Sequence, residues 1–180
     1  MKHRVTTSIW FQRLLFLAAG GFAILTLLLP LGLSADRRPM PDLVFALCAC
    51  WVVRRPLAAP FLLVGAVGLM ADILLGGPVG LGALLLMWGT EAMRQNIRSI
   101  REYPFVFEFL WFAGLFALVL LARSILLAVA FAPNVQIVDM ARYYITTLVS
   151  YPVVAAVVHW GLRVRFPRTR PVAVGLGRSA

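Results

Sequence analysis

The chain has 180 residues, of which 62% are hydrophobic and only 13% charged, and its mean hydropathy is +0.90. A water-soluble domain is about half apolar and about a quarter charged, so this composition excludes an ordinary soluble enzyme or binding module and indicates one polytopic membrane domain. The net charge of +10 does not point to nucleic acid: all of the basic residues except Lys2 are Arg, and they cluster between apolar runs, as topology signals do.

In chain order, residues 1–13 read as a cytoplasmic N-terminus ahead of a first apolar segment at 14–33. "LSA" before Asp36 could pass as a cleavage site. The apolar stretch of about 20 residues exceeds the usual h-region, so it reads as an uncleaved helix. The second segment, 40–55, opens with "PDLVFALCACWVV". Its run falls short of the ~20 residues that span unaided, so it could be re-entrant. Arg54 and Arg55 are expected to snorkel and lengthen it. Cys48 and Cys50 would point about 200° apart on a helix, so by themselves they form neither a disulfide nor a zinc site and read as packing residues.

The third and fourth segments, 58–76 and 79–93, are divided by a Gly76-Gly77-Pro78 turn. On a helix Gly65, Gly68, Asp72 and Gly76 form one stripe. Small residues there admit a neighbouring backbone, so Asp72 is expected to face protein rather than lipid. The stretch "RQNIRSIREYP" sets Arg94, Arg98 and Arg101 at i, i+4, i+7, a cytoplasmic basic face that either snorkels at the lipid boundary or docks a partner. Glu91 and Arg94 form a local ion pair, and Glu108 is expected to answer Arg98 or Arg101. The fifth segment, 104–131, holds Arg123 in the same half of the membrane as Asp72. A contact between the two would spare two unpaired charges. The sixth segment, 141–163, carries His159 near its inner end. The Arg-, Pro- and Gly-rich tail, 166–180, reads as disordered and cytoplasmic.

Charge tests this six-span scheme, in which residues 14–165 form the membrane domain. With both termini in the cytoplasm, 13 basic residues lie inside and only Arg37, Arg38 and Arg142 outside. The bias largely vanishes if the second segment does not cross. The five tryptophans fall near inner ends, and Tyr143 and Tyr144 at an outer one, as amphipathic aromatics prefer.

Neither an H-E-x-x-H nor a G-x-S-x-G pattern is present. The expectation is a non-enzymatic protein without metal or cofactor. Asp42 and Asp72 could form an aspartyl dyad, and "ADILLGG" faintly resembles the second catalytic stretch of lipoprotein signal peptidases. Those have four spans and Asn-containing motifs, whereas Asn96 and Asn134 are the only asparagines here.

Pro41-Asp42-Leu43, Trp51, Arg55-Pro56, Phe61, "VGLMAD" (67–72) and "GGPVGLGAL" (76–84) follow in an order that resembles the rod-shape-determining MreD family. The match covers residues 41–86; the remainder agrees in hydropathy and span count. Cys50 stands before Trp51 where an aromatic is common. The resemblance implies a bacterial inner-membrane protein of the cell-elongation machinery, involved in organising peptidoglycan synthesis. It would bind MreC within a wider complex of MreB, RodA and a class B penicillin-binding protein, besides membrane lipid. It also implies six transmembrane helices arranged like the substrate-binding subunit of energy-coupling-factor transporters, so such a transport subunit is the alternative function. Asp42, Gly65, Gly68, Asp72, Gly76, Pro78, Gly80 and Arg123 are the expected structural or partner-contact residues.

Overall fold

The computed structural model describes residues 2–29, 40–131 and 136–161, with side chains from residue 9 onward. Long apolar runs punctuated by Pro and Gly specify helices, and among the described residues the protein is all-helical. Its elements are α1 (Lys2–Leu28), α2 (Leu43–Arg54), α3 (Phe61–Leu75), α4 (Leu81–Gln95), α5 (Ile97–Glu102), α6 (Phe105–Val129) and α7 (Ile137–Ala156), with a π-helical turn at Val157–Gly161.

Three helical stretches are long and apolar enough to cross a membrane: Ile9–Leu28, Phe105–Val129 and Ile137–Trp160. The other three candidate spans are short. Helix α2 has 12 residues, and α3 and α4 have 15 each. At 1.5 Å per residue α2 rises only about 18 Å, well under the roughly 30 Å of a hydrocarbon core.

Burial explains how α2 can be so short. Every residue from Val44 to Arg54 is buried, with α1, α3, α4 and α7 packed around it. It is the axis of the bundle, so its length is matched to its neighbours and not to lipid. Its Ala and Cys residues let those neighbours close in, and its large residues fill the gaps. The Trp51 ring meets Phe16 of α1 edge-on at 5.6 Å, and Phe45 meets Phe116 of α6 at 5.2 Å. Phe112 stacks on Tyr151 of α7 at 3.9 Å. A Cβ at Gly89 of α4 would come within 2.7 Å of the Phe45 ring, so only glycine leaves space there.

Two boundaries differ from the sequence reading. Helix α1 begins at Lys2 rather than near residue 14, because nothing between Lys2 and Arg13 breaks a helix. The Arg13 guanidinium lies over the Trp10 ring at 5.1 Å. The stretch between the fourth and fifth segments is not a plain loop either, since α5 occupies it. The proposed tail at 166–180 lies outside the described residues, as do Arg37 and Arg38.

The six principal helices run alternately between two ends of the bundle. Leu27 of α1, Asp42 before α2, Leu75 of α3, Gly82 of α4, Leu127 of α6 and Asp139 of α7 surround one cavity, at what is called here the Asp72 end. Arg54, Arg94, Arg101 and Glu108 mark the opposite, Arg54 end, where α5 and the π-helical turn also lie.

Candidate functional site

The turn between α3 and α4 carries most of the sequence motif, and its geometry follows from glycine. Gly76 closes α3 in the left-handed region at φ +70°, and Gly80 opens α4 at φ +92°. L side chains rarely adopt either conformation. Gly80, as the N-cap, has no side chain to satisfy the free N–H groups of α4. Asp72 does so from the preceding helix. Its Oδ2 accepts from the backbone N–H of Gly80 at 2.9 Å and of Ala83 at 3.0 Å. These are the two donors that a capping box would satisfy from within one helix. The negative carboxylate also suits the positive end of the α4 dipole.

Close approach of α3 and α4 permits this reach. A Cβ at Gly82 would overlap the Asp72 carboxylate, one at Gly68 would come within 2.8 Å of the Ala83 Cα, and one at Gly65 within 2.6 Å of Met87 Sδ. Gly76 belongs to the turn and meets nothing within 4 Å, so it is not part of the packing stripe assigned from periodicity. Pro78 is exposed in the same turn, and its carbonyl accepts from Leu81 N.

Asp42 performs the equivalent task for α2. Its Oδ1 accepts from Phe45 N at 2.9 Å and its Oδ2 from the Tyr143 hydroxyl at 2.8 Å, while its own N–H donates to Thr147 Oγ1 at 2.9 Å. The cap on the central helix is therefore clamped by α7. The charges of Arg123 and Asp72 both act on Asp42, and that of Arg123 acts on Tyr143 as well. The expected ion pair between Asp72 and Arg123 is not made. Asp72 is held by α4 backbone, and Arg123 turns to Tyr143 and Asp42 instead. Both charges nonetheless line one cavity of about 480 Å³, together with Asp42, Asp139, Ser124 and Tyr143 on otherwise aliphatic and aromatic walls.

A second polar cluster sits at the Arg54 end. Arg54 is 4% exposed, Glu108 3% and Tyr151 0%. Arg54 Nη1 donates to Glu108 Oε1 at 2.8 Å, and the Tyr151 hydroxyl donates to the same oxygen at 2.7 Å. Arg54 Nη1 also lies 2.9 Å from Cys50 Sγ. Arg54 thus does not snorkel, and Glu108 answers Arg54 rather than Arg98 or Arg101. The reason is reach: Arg54 is the last residue of α2 and Glu108 lies in the first turn of α6, so the two meet at the same end of the bundle.

The three arginines of the basic face also separate. A break at Asn96 puts Arg94 on α4 and the other two on α5. Arg94 pairs with Glu91 at 3.0 Å and donates to the carbonyls of Pro56 at 2.9 Å and Ala59 at 2.6 Å. Arg101 donates to Val53 O, at 2.9 Å from Nε, and to Arg54 O at 3.2 Å. Those carbonyls are the unpaired acceptors at the end of α2, which favour a cation. Only Arg98 of the three is exposed.

Sequence reading missed the Arg54–Glu108–Tyr151 cluster. Its signal was one base and one acid, each embedded at the edge of an apolar run, which need each other if both fold inward. Tyr143 was legible only as an interfacial aromatic, and Thr147 gave no signal, because a threonine hydroxyl in a membrane helix commonly bonds its own backbone, as Thr147 also does at Tyr143 O. No group of three or more His, Cys, Asp or Glu side chains able to hold a metal occurs among the described residues. No family model, curated protein or solved structure matches the chain.

Proposed function

We infer that this chain is a non-enzymatic membrane scaffold of the MreD kind, a component of the bacterial cell-elongation machinery that binds MreC and helps organise peptidoglycan synthesis. The observation that carries this reading is the task of the aspartates and glycines of the motif between 41 and 86. Asp42 caps the central helix, Asp72 caps α4, and the glycines between them close the α3–α4 contact. The motif thus describes a rigid shape rather than a set of reacting groups. The outer face of that hairpin is apolar, with Leu62, Met70, Ile73, Leu84 and Trp88 all exposed, and suits a partner helix.

In this reading all six principal helices cross the bacterial inner membrane, with α2 enclosed by its neighbours and the α3–α4 hairpin on the outside of the bundle. The family resemblance implies an arrangement like that of the substrate-binding subunits of energy-coupling-factor transporters. The Arg54 end, with Arg13, Arg54, Arg55, Arg94, Arg98 and Arg101, is cytoplasmic by the positive-inside bias, and both termini lie on that side. Through MreC the chain joins MreB, RodA and a class B penicillin-binding protein.

One observation favours a second reading, a substrate-binding subunit of a transporter: the 480 Å³ cavity falls in the usual range for small-ligand sites. A membrane aspartyl peptidase is supported less, since its carboxyls share a proton whereas Asp42 and Asp72 each bind donors of their own.

Affinity capture of the tagged protein from its native membranes in mild detergent, read by mass spectrometry, tests the scaffold. MreC and the wall synthases are expected to co-purify, and Asp72→Ala at equal protein level is expected to reduce their recovery. Recovery of an ATP-binding transport module in their place would transfer the assignment to the transporter reading.

A further inference from the structure

The cavity at the Asp72 end has a geometric origin. Helices α2, α3 and α4 stop short of α1, α6 and α7. Asp72 stands about 17 Å along α3 from its first residue, and Arg123 about 22 Å along α6 from Glu108. The ends of the short helices therefore form the floor of a recess. Leu27 of α1, Leu120 and Leu127 of α6 and Met140 of α7 stand around it as an apolar wall. With a hydrocarbon layer about 30 Å thick beginning at the Arg54 end, that floor would lie within its upper part.

Two groups of opposite charge face this recess with binding capacity left. Asp72 Oδ2 takes both α4 N–H groups, and no described residue hydrogen-bonds Oδ1. Arg123 makes no ion pair within 4 Å among the described residues, and its charge acts on Tyr143 and Asp42, so N–H donors of its five-donor fork are left for a ligand. Asp42 is different: both of its oxygens are already engaged. At the ends of the short helices the recess therefore presents an open oxygen of Asp72 facing the Arg123 guanidinium, among aliphatic side chains; Asp139, which also lines it, is 3.8 Å from Arg142. Intramembrane charges in such a setting call for a partner.

We propose that the recess binds a zwitterionic head group, a primary ammonium and a phosphate joined by a short linker, with attached chains running along the apolar wall. The ammonium donates to Asp72 Oδ1, and the phosphate accepts from Arg123, which suits a planar fork. A cavity of about 480 Å³ has space for such a head and the first methylenes of its chains. The ligand class is an aminophospholipid of the surrounding membrane, or a soluble molecule with the same head. The site is independent of the scaffold assignment, since it rests only on the recess and its two charges.

The test is native mass spectrometry of the full-length, delipidated protein in detergent, titrated with dioleoyl phosphatidylethanolamine, phosphatidylcholine and phosphatidylglycerol. Phosphatidylethanolamine is expected to bind at least tenfold more tightly than the other two. One of those lacks an N–H donor and the other lacks a cation. Arg123→Gln and Asp72→Asn are each expected to abolish the preference. Because Asp72→Asn also touches the α4 cap, Leu127→Trp serves as a variant that fills the recess without altering a polar group, and it is expected to abolish the preference at unchanged thermal midpoint. Displacement of the lipid by soluble phosphoethanolamine would place the source of the head outside the bilayer as well as in it; failure to displace would restrict it to the membrane. Equal binding of the three lipids, or a preference that survives Arg123→Gln and Leu127→Trp, would overturn the proposal.

Discussion

Single side chains in this protein matter chiefly through the charges they leave behind. Arg54 and Glu108 have side chains only 5% exposed and lie 2.8 Å apart. Removing one partner of a buried pair strands the other, at a cost of about 3–5 kcal/mol, whereas replacing both with apolar residues can be close to neutral. Glu108→Leu is therefore expected to lower the thermal midpoint in detergent sharply, and the double variant Arg54→Met, Glu108→Leu to recover most of the loss. Additive losses in that cycle would show that the two charges do not act as a pair. Asp72 is subject to a different logic. It was legible in sequence as the one carboxylate between Leu62 and Leu86, but its partner was not. Helix periodicity places residues on faces; it does not say that a carboxylate will take two backbone N–H groups of the next helix instead of an arginine fifty residues on.

At the scale of helices, glycine positions fall into two groups that sequence alone treats alike. Gly68 lies where α3 touches α4, with Ala83 Cα 2.8 Å from where a Cβ would stand, whereas Gly114 of α6 has nothing within 4 Å. Gly68→Val is expected to push the two helices apart at a cost of about 1–3 kcal/mol. Gly114→Ala is expected to be neutral or to stabilise by roughly 0.5–1 kcal/mol, through the lower conformational entropy of the unfolded chain and better helix propensity. Thermal unfolding followed by tryptophan fluorescence would separate them. The segments themselves were largely legible, because long apolar runs bounded by Gly and Pro leave helices as the available structure in lipid. Less legible was which helix lies inside. The sequence of α2 marks it as the weakest span by length, and in the structure it is the most buried. Hydropathy measures preference for an apolar surrounding and does not distinguish lipid from other helices.

For the molecule as a whole, alternation of six helices between two ends sets which groups can be reached, and from where. Cys48 and Cys50 are both 0% exposed, so a membrane-permeant maleimide is expected to leave the folded protein unmodified and to label it only after denaturation in dodecyl sulfate. That silence makes the native chain a ready background for introduced cysteines. In right-side-out membranes, Val79→Cys at the Asp72 end is expected to react with an impermeant maleimide, and Arg98→Cys at the other end only once the membrane is permeabilised. Reaction of both from one side would refute the alternating scheme. The buried α2 also carries a consequence for biosynthesis. It leaves the ribosome second, before α4, α6 and α7 that will enclose it, and at about 18 Å it is too short to hold a transmembrane position by itself. In the six-span reading it therefore needs a temporary host between its own synthesis and that of α7. Insertion is then expected to be a delayed, collective event that slows when an insertase sheltering marginal helices is depleted, a consequence of the same packing that makes α2 the centre of the finished bundle.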